Sequence, residues 1–211
     1  ILNLLHELQR ERNLTYLFIT HDLGVVRHMA DRIVVMYLGR VAEAGPTDRL
    51  FSEPHHPYTQ ALLGASPDVE DDDGSGFRGL EGSVPDPAHP PQGCRFHTRC
   101  PLATPVCGWE VDDVVRWLED EPGLFDAVSG VERVSPFEAT IGFEADDQAL
   151  ALEAALDSGK VPTAMRAALE TASVSGSSVR LSFTPVEEVR LTERGPDHVA
   201  EEGIHRGRRI A

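Results

Sequence analysis

LTYLFIT, residues 14–20, runs directly into His21 and Asp22. A short, nearly continuous run of apolar, β-branched and aromatic residues is typical of a strand buried on both faces of a parallel α/β sheet. Asp22 is placed to cap a helix over residues 23–29, because its side chain can accept a hydrogen bond from a backbone N–H of the first turn. The sequence therefore predicts a buried strand that carries His21 at its carboxyl end.

The segments on either side of this run have their own regular patterns. Residues 1–11 place apolar side chains at helical spacing. Residues 33–37 and 40–44 are two extended runs separated by a turn at Gly39, which predicts a hairpin. With two further short helices, these patterns predict an α/β domain over residues 1–66.

The composition changes after residue 66. Residues 67–123 contain an acidic and proline-rich linker followed by all three cysteines, Cys94, Cys100 and Cys107. Residues 124–211 alternate strand-like and helix-like patterns, with helices predicted over residues 146–156 and 163–172. The alternation predicts a small α+β insert followed by a C-terminal tail.

The charge of the chain is strongly acidic, with a net charge of −16 from 19 basic and 35 acidic residues. This balance excludes nucleic acid as a partner, because phosphate recognition needs a basic face. Residues 1–66 hold six basic and seven acidic residues, whereas residues 67–211 hold 13 and 28, so the acidity lies in the later part. Arginine accounts for 18 of the 19 basic residues, a pattern that fits either a halophile or an acidic protein from a GC-rich genome.

Residues 14–63 resemble the C-terminal part of the ATP-binding subunit of ABC transporters, and His56-Pro57-Tyr58 resembles the dipeptide/oligopeptide importer branch. Residues 93–101 are similar to the cysteine-containing extension of that branch. The resemblance implies that residues 1–66 are the C-terminal part of an ABC-type P-loop NTPase domain. It also implies ATP and Mg²⁺ as cofactors of the complete subunit, and a peripheral location at the cytoplasmic face of the cell membrane. The implied partners are a second ATPase subunit, transmembrane permease subunits and, indirectly, a substrate-binding protein.

His21 matches the switch histidine of these ATPases, which the resemblance places near the γ-phosphate. A neutral imidazole there can hydrogen-bond the γ-phosphate or the attacking water. The alternative is a histidine satisfied by local hydrogen bonds at the end of a strand.

The chain has no glycine-rich phosphate loop with a lysine and a serine or threonine, and its only lysine is Lys160. We therefore expect a fragment whose phosphate loop, signature motif and Mg²⁺-coordinating acid lie before Ile1, and which is inactive alone.

The spacing of the cysteines gives a second candidate site, for metal. Five residues separate Cys94 from Cys100, and six separate Cys100 from Cys107. The resemblance implies that some members hold an iron–sulfur cluster in this extension. Such a cluster, like tetrahedral zinc, needs four ligands. Three ordinary buried thiols are the alternative.

A fourth ligand is in doubt. The fourth cysteine of the resembled branch follows a His-Val-Ala-like stretch, and here Glu201 follows His198-Val199-Ala200. A carboxylate is a poor ligand for soft metals, which leaves His97 and His198 as other candidates.

Three functions follow from these patterns. The first is the truncated ATP-binding subunit of an ABC importer for dipeptides, oligopeptides or a similar solute such as nickel. The second is a metal-binding or redox-sensing module built on the cysteines. The third is a non-catalytic regulatory domain in residues 124–191.

Overall fold

A computed structural model describes residues 1–65, 80, 82–186 and 189–201. The predicted acidic linker up to residue 79 and the tail after residue 201 lie outside the described residues. The chain divides into two compact units. The first contains the described residues of 1–80 together with Leu191–Glu201, and the second contains those of 81–190.

Eight α-helices, two short 3₁₀-helices (His97–Arg99 and Pro105–Cys107) and eight strands are present in the described ranges. The helices are α1 (Leu2–Arg12), α2 (Leu23–Met29), α3 (Thr47–Ser52), α4 (Pro57–Gly64), α5 (Val111–Glu119), α6 (Pro122–Phe125), α7 (Asp146–Asp157) and α8 (Thr163–Ala168). The strands are β1 (Arg32–Tyr37), β2 (Arg40–Pro46), β3 (Val128–Ser135), β4 (Glu138–Phe143), β5 (Leu169–Ser175), β6 (Ser178–Phe183), β7 (Leu191–Gly195) and β8 (His198–Glu201). No helix in the described ranges has the length and apolar character needed to span a membrane.

The first two helices form where they are predicted. Helix α1 ends at Arg12 and is capped by Asn13, whose left-handed backbone (φ 51°) is common at helix ends. Helix α2 begins after Asp22, whose side chain accepts the Val25 N–H at 3.0 Å. The caps confirm the predicted helices at both ends of the LTYLFIT run.

The LTYLFIT run itself does not form the predicted strand. Residues 14–20 belong to no regular element, and the side chains of Leu17 and Ile19 are 91% and 95% exposed. A strand buried on both faces needs neighbours on both edges to satisfy its backbone N–H and C=O groups. Within the described part of the chain no strand pairs with this run, and both sheets are antiparallel, so the predicted parallel sheet is wrong here.

The sheet of the first unit has the order β1-β2-β8-β7. Strands β1 and β2 form the predicted hairpin, with Leu38 (φ 46°) and Gly39 (φ 80°) at the turn. Strand β8 then pairs with β2, so that Glu43 lies opposite Ala200. The C-terminal strands thus complete a sheet that begins more than 150 residues earlier in the chain.

The sheet of the second unit has the order β3-β4-β6-β5, and its helices pack around one hydrophobic core. Helix α7 confirms the predicted helix at residues 146–156. The predicted helix over residues 163–172 ends instead at Ala168, where β5 begins and pairs with β6. The largest fully buried side chains of this core are Leu118, Ile141, Leu152, Leu156, Met165, Leu181 and Phe183.

Candidate functional site

His21 lies in the first unit, between the exposed LTYLFIT run and α2. Its side chain is exposed, and the hydrogen bonds of its neighbours fix the backbone around it. The Asp22 N–H donates to the Thr20 hydroxyl at 3.0 Å, and the Asp22 carboxylate caps α2. The structure therefore presents an accessible imidazole on an ordered turn.

Helix α2 is tied to the element that follows β2. The Thr47 N–H donates to the Asp31 carbonyl at 3.0 Å, and the Thr47 hydroxyl donates to the Ala30 carbonyl. The Arg27 guanidinium lies 5.3 Å from the centre of the Phe51 ring, which joins α2 to α3 by a cation–π contact. These contacts hold α2, which follows His21, against α3.

A fully buried carboxylate on β2, Glu43, organises the rest of the first unit. Its two oxygens accept the backbone N–H groups of His55 and His56, each at 2.9 Å. His198 Nε2 on β8 is hydrogen-bonded to Glu43 Oε1 at 2.6 Å. The sequence analysis did not identify Glu43. The feature that could have revealed it is a single charged residue among the small apolar residues of an extended run.

His56 lies next to this carboxylate and caps α4. Its Nδ1 accepts the Tyr58 N–H at 3.1 Å, so the ring proton of neutral His56 is on Nε2. That nitrogen lies 3.6 Å from Glu201 Oε2. Two of the candidate fourth ligands, Glu201 and His198, are thus buried among polar groups of the first unit.

The three cysteines lie in the second unit and form no disulfide. Within the described residues their thiols do not gather into one set of ligand atoms within 4.8 Å of one another. Cys107 Sγ accepts the Thr104 N–H at 3.3 Å and lies 3.2 Å from the Thr104 hydroxyl. Burial raises the pKa of the Cys100 thiol to about 12, so it is protonated at neutral pH. This donor set does not fit a four-thiolate cluster.

His97, the third candidate fourth ligand, has both ring nitrogens hydrogen-bonded. Nδ1 lies 2.7 Å from the Cys94 carbonyl oxygen, and Nε2 lies 2.9 Å from Asp113 Oδ2. The other oxygen of Asp113 accepts a hydrogen bond from Arg116. Burial alone would raise the pKa of Asp113, but the hydrogen bonds and charges of His97 and Arg116 hold that pKa below its ordinary value. His97 therefore belongs to a buried ion network.

Glu110 is a second buried carboxyl group beside this network. Its Oε1 accepts the Gln92 N–H at 3.1 Å, and its own N–H donates to Asp113 Oδ2 at 2.9 Å. Burial, followed by the nearby charge of Asp113, raises the pKa of Glu110 to about 7. Glu110 therefore titrates near neutral pH.

Replacing Glu110 by glutamine will flatten the pH dependence of stability of the second unit. The folded-state pKa of about 7 exceeds the ordinary value of 4.5, so the folded state binds more protons between these values. Stability is full below about pH 4.5 and is lost as the pH rises through 7. We expect the wild type to lose about 2 kcal/mol between pH 5 and 8, and Glu110→Gln to lose little. Urea denaturation followed by tryptophan fluorescence measures both, since Trp109 and Trp117 lie in this unit.

Glu119→Gln is the control, because Glu119 is an exposed residue of α5. Because the pKa of Asp113 is lowered, this carboxyl group changes its charge only at more acidic pH and does not contribute to the slope between pH 5 and 8. Equal slopes for the wild type and Glu110→Gln between pH 5 and 8 would contradict the prediction.

Comparison with known proteins gives one matched region that contains α3, α4 and the three cysteines. The family model described as "Oligopeptide/dipeptide transporter, C-terminal region" matches residues 42–107. The di/tripeptide transport ATP-binding protein DppF of Pseudomonas aeruginosa is 50% identical over 114 residues, which cover 54% of this chain and 35% of that protein.

Two further relatives show the same pattern. The oligopeptide transport ATP-binding protein AppF of Bacillus subtilis is 53% identical over 130 residues, covering 60% of this chain and 38% of AppF. A probable peptide ABC transporter ATP-binding protein of Sinorhizobium fredii is 50% identical over 115 residues, covering 54% of this chain and 33% of that protein. The chain thus spans little more than a third of the length of the curated relatives it matches.

Proposed function

We propose that this chain is the C-terminal part of the ATP-binding subunit of an ABC importer for dipeptides or oligopeptides. The observation that carries the proposal is the identity of 50–53% to transport ATP-binding proteins over 114–130 residues. The match to the C-terminal region of oligopeptide/dipeptide transporters over residues 42–107 supports the same function.

His21 is proposed to contact the γ-phosphate or the attacking water in the complete subunit. The exposed imidazole follows the apolar LTYLFIT run and precedes a capped helix. In the complete subunit the run is proposed to pair as a strand, which would place His21 at a strand end, where α/β folds bind ligands. The chain itself has no phosphate loop, so residues that bind ATP and Mg²⁺ are proposed to come from a segment outside residues 1–211.

The exposed LTYLFIT run supports this proposal. Leu17 and Ile19 expose more than nine-tenths of their side chains, which is unfavourable for large apolar residues in water. Paired with strands from the same outside segment, the run would bury these side chains and satisfy its backbone groups.

The remaining properties follow from the role of such a subunit. The proposed partners are a second ATPase subunit and the membrane permease subunits, and the proposed location is the cytoplasmic face of the cell membrane. The solute class is peptide, with nickel as the alternative. The acidic, arginine-rich composition supports operation at high salt. Strands β3–β6 form a sheet of their own, and we propose a separate regulatory or docking role for residues 124–191, which contain them.

The gene sequence tests the proposal directly. We expect the DNA before the codon for Ile1 to encode, in the same reading frame, a phosphate loop, a signature motif and an acidic pair. A start codon immediately before Ile1 would contradict a catalytic subunit.

Replacing His21 by alanine will abolish most ATP turnover of the longer gene product. Loss of a group that positions or polarises the attacking water lowers kcat about 100-fold or more. Residues 1–211 alone are expected to show no hydrolysis above background, because they lack the phosphate loop. Steady-state phosphate release measures the kcat of the His21→Ala variant and any hydrolysis by residues 1–211 alone.

The matched control is His89→Ala, since His89 is also exposed and lies in the second unit. This variant is expected to keep the wild-type kcat. An unchanged kcat in His21→Ala, or turnover by residues 1–211 alone that His21→Ala abolishes, would overturn the proposed role.

A further inference from the structure

The sheet of the second unit is built from two similar hairpins. Helices α5 and α6 precede the β3–β4 hairpin, and helices α7 and α8 precede the β5–β6 hairpin. Each hairpin turns through two residues, 136–137 in the first and 176–177 in the second. The buried side chains of the inner strands recur 40 positions apart: Ala139, Ile141 and Phe143 on β4, and Val179, Leu181 and Phe183 on β6. The second unit therefore contains one ααββ pattern twice.

Strands β4 and β6 pair symmetrically around the middle of this repeat. They are antiparallel, and Thr140 lies opposite Arg180, which holds the equivalent place 40 positions later. The neighbouring pairs show the same exchange: Ala139 with Leu181, and Ile141 with Val179. The register thus has an approximate two-fold symmetry, which makes β3 and β5 the two equivalent outer strands of the sheet.

The two outer strands differ at equivalent places. On β3 the place opposite Thr140 is taken by Glu132, and Arg133 follows it. On β5 the place opposite Arg180 is taken by Ser173, and no charged residue lies between positions 171 and 179. The register of β3 also shifts after Arg133, whereas that of β5 is unbroken over residues 171–175. Charges and bulges protect an open strand edge against pairing with another chain, so β3 is protected and β5 is not.

Backbone hydrogen bonds next to β6 show which groups of β5 point away from the sheet. The Phe183 N–H donates to the Phe137 carbonyl at 2.8 Å, on the side of β4. The Thr184 N–H donates to the Ala168 carbonyl at 3.1 Å, on the side of β5. Because successive residues of a strand face opposite neighbours, residues 178, 180 and 182 face β5, and their partners 175, 173 and 171 face back to β6.

The outer edge of β5 therefore presents the N–H and C=O groups of Ala172 and Val174. Within the described residues β6 is the only strand that pairs with β5, and the side chain of Ser173 between them is exposed. Two antiparallel copies of β5 that bond through these groups place Ala172 opposite Val174 of the second copy. Ser173 then lies opposite Ser173 of the second copy.

The rest of this edge is also complementary to itself. In the same register Thr171 lies opposite Ser175 of the second copy, so that hydroxyl groups face hydroxyl groups. Glu170, the only charged residue of β5, lies opposite Gly176 and meets no like charge. Like charges directly opposite each other destabilise a strand pair, and this register has none.

We propose that the second unit binds a second copy of this chain by antiparallel pairing of β5 with β5, which joins two four-stranded sheets into one of eight strands. The self-complementary edge selects a second copy as the occupant, because every residue of β5 meets a compatible residue of β5. The inference does not rest on the proposed transport function, since it uses residues of the second unit alone.

The net charge of the second unit makes this association dependent on salt. Residues 110–183 hold 15 acidic and five basic residues, so two copies repel each other. Salt screens this long-range repulsion, whereas the backbone hydrogen bonds act at short range. We therefore expect the dimer to tighten as the NaCl concentration rises from about 0.1 M to about 1 M.

Sedimentation equilibrium of residues 1–211 tests the proposal. The wild type is expected to show a reversible equilibrium between monomer and dimer. Ser173→Lys and Ser173→Glu each place two like charges opposite each other, and each variant alone is expected to raise the Kd of the dimer about 10-fold or more. A mixture of the two variants places lysine opposite glutamate and is expected to recover the dimer.

Glu132→Lys is the matched control, because it puts a lysine at the equivalent place on β3, and it is expected to leave the Kd unchanged. Ala172→Pro is a second variant: it removes an outward N–H, leaves the bonds between β5 and β6 in place, and is also expected to weaken the dimer. Melting followed by tryptophan fluorescence shows whether each variant is folded, since both tryptophans lie in the second unit.

A wild type that stays monomeric at about 1 M NaCl would overturn the inference and would leave a strand of a different protein as the occupant of this edge. A dimer that survives in Ser173→Lys, an equal loss in Glu132→Lys, or a mixture that does not associate would overturn it as well. None of these outcomes decides the transport function, which is tested separately at His21.

Discussion

Replacing Glu43 by alanine will lower the free energy of unfolding of the first unit by about 3–5 kcal/mol. The substitution removes the acceptor for three donors, the part-buried backbone N–H of His55, the buried backbone N–H of His56 and the buried ring of His198. The two buried donors would be left without a partner, so the full cost of removing them from water is no longer offset by a hydrogen bond. We also expect β8 to separate from β2, because His198 and Glu43 join these strands.

Hydrogen exchange of the β8 amides measures this effect, because local opening exposes them before the whole unit unfolds. Glu193→Ala is the matched control: Glu193 is an exposed glutamate on β7 of the same sheet. A double-mutant cycle with His198→Ala tests the interaction between Glu43 and His198. The loss of free energy of unfolding in the double variant should be smaller than the sum of the losses in the two single variants. Equal protection in Glu43→Ala and Glu193→Ala would refute the prediction.

Replacing Gly108 by alanine will destabilise the second unit by about 3 kcal/mol or more. A Cβ at this position would lie 2.4 Å from the Gln92 carbonyl oxygen and 2.8 Å from the Gly93 Cα. Both neighbours are backbone atoms, so no side-chain rotation can relieve the contact. The backbone φ of 114° adds strain for any residue other than glycine.

Alanine variants at two further glycines separate the effect of the close backbone contact from the effect of backbone strain. Gly159 has φ 77°, and no atom lies within 4 Å of the place that an alanine methyl group would take, so Gly159→Ala should cost about 1 kcal/mol from backbone strain alone. Gly130 in β3 has neither a close neighbour nor a positive φ, so Gly130→Ala should be neutral or slightly stabilising. Urea denaturation followed by tryptophan fluorescence ranks the three variants. A loss in Gly108→Ala no greater than that in Gly159→Ala would show that the close approach does not matter.

Local sequence signals predicted the helices and the first hairpin. Asp22 predicted the start of α2, and Gly39 between two extended runs predicted the turn between β1 and β2. These elements depend on hydrogen bonds between residues a few positions apart, which a pattern in the sequence can reveal. The prediction of a helix over residues 163–172 was wrong after Ala168, because the following residues form β5 and pair with β6.

The residues of the candidate site also divide into those that the sequence revealed and those that only the structure revealed. His21 was found from the resemblance of residues 14–63 to ABC ATP-binding subunits, and the three cysteines were found from residue type and spacing. The buried partners Glu43 and Asp113 were missed, because each becomes informative only when residues distant in the chain approach it. His198 reaches Glu43 across 155 residues, and His97 reaches Asp113 across 16.

The sequence by itself determined the similarity of residues 42–107 to oligopeptide/dipeptide transporters and the position of most helices. Only the tertiary structure decided that β8 completes the first sheet, that the three thiols do not converge, and that the LTYLFIT run is exposed. The physical reason is the range of the interactions. Helix caps and tight turns are local, whereas strand pairing, burial of a charge and convergence of ligands depend on which distant segments meet.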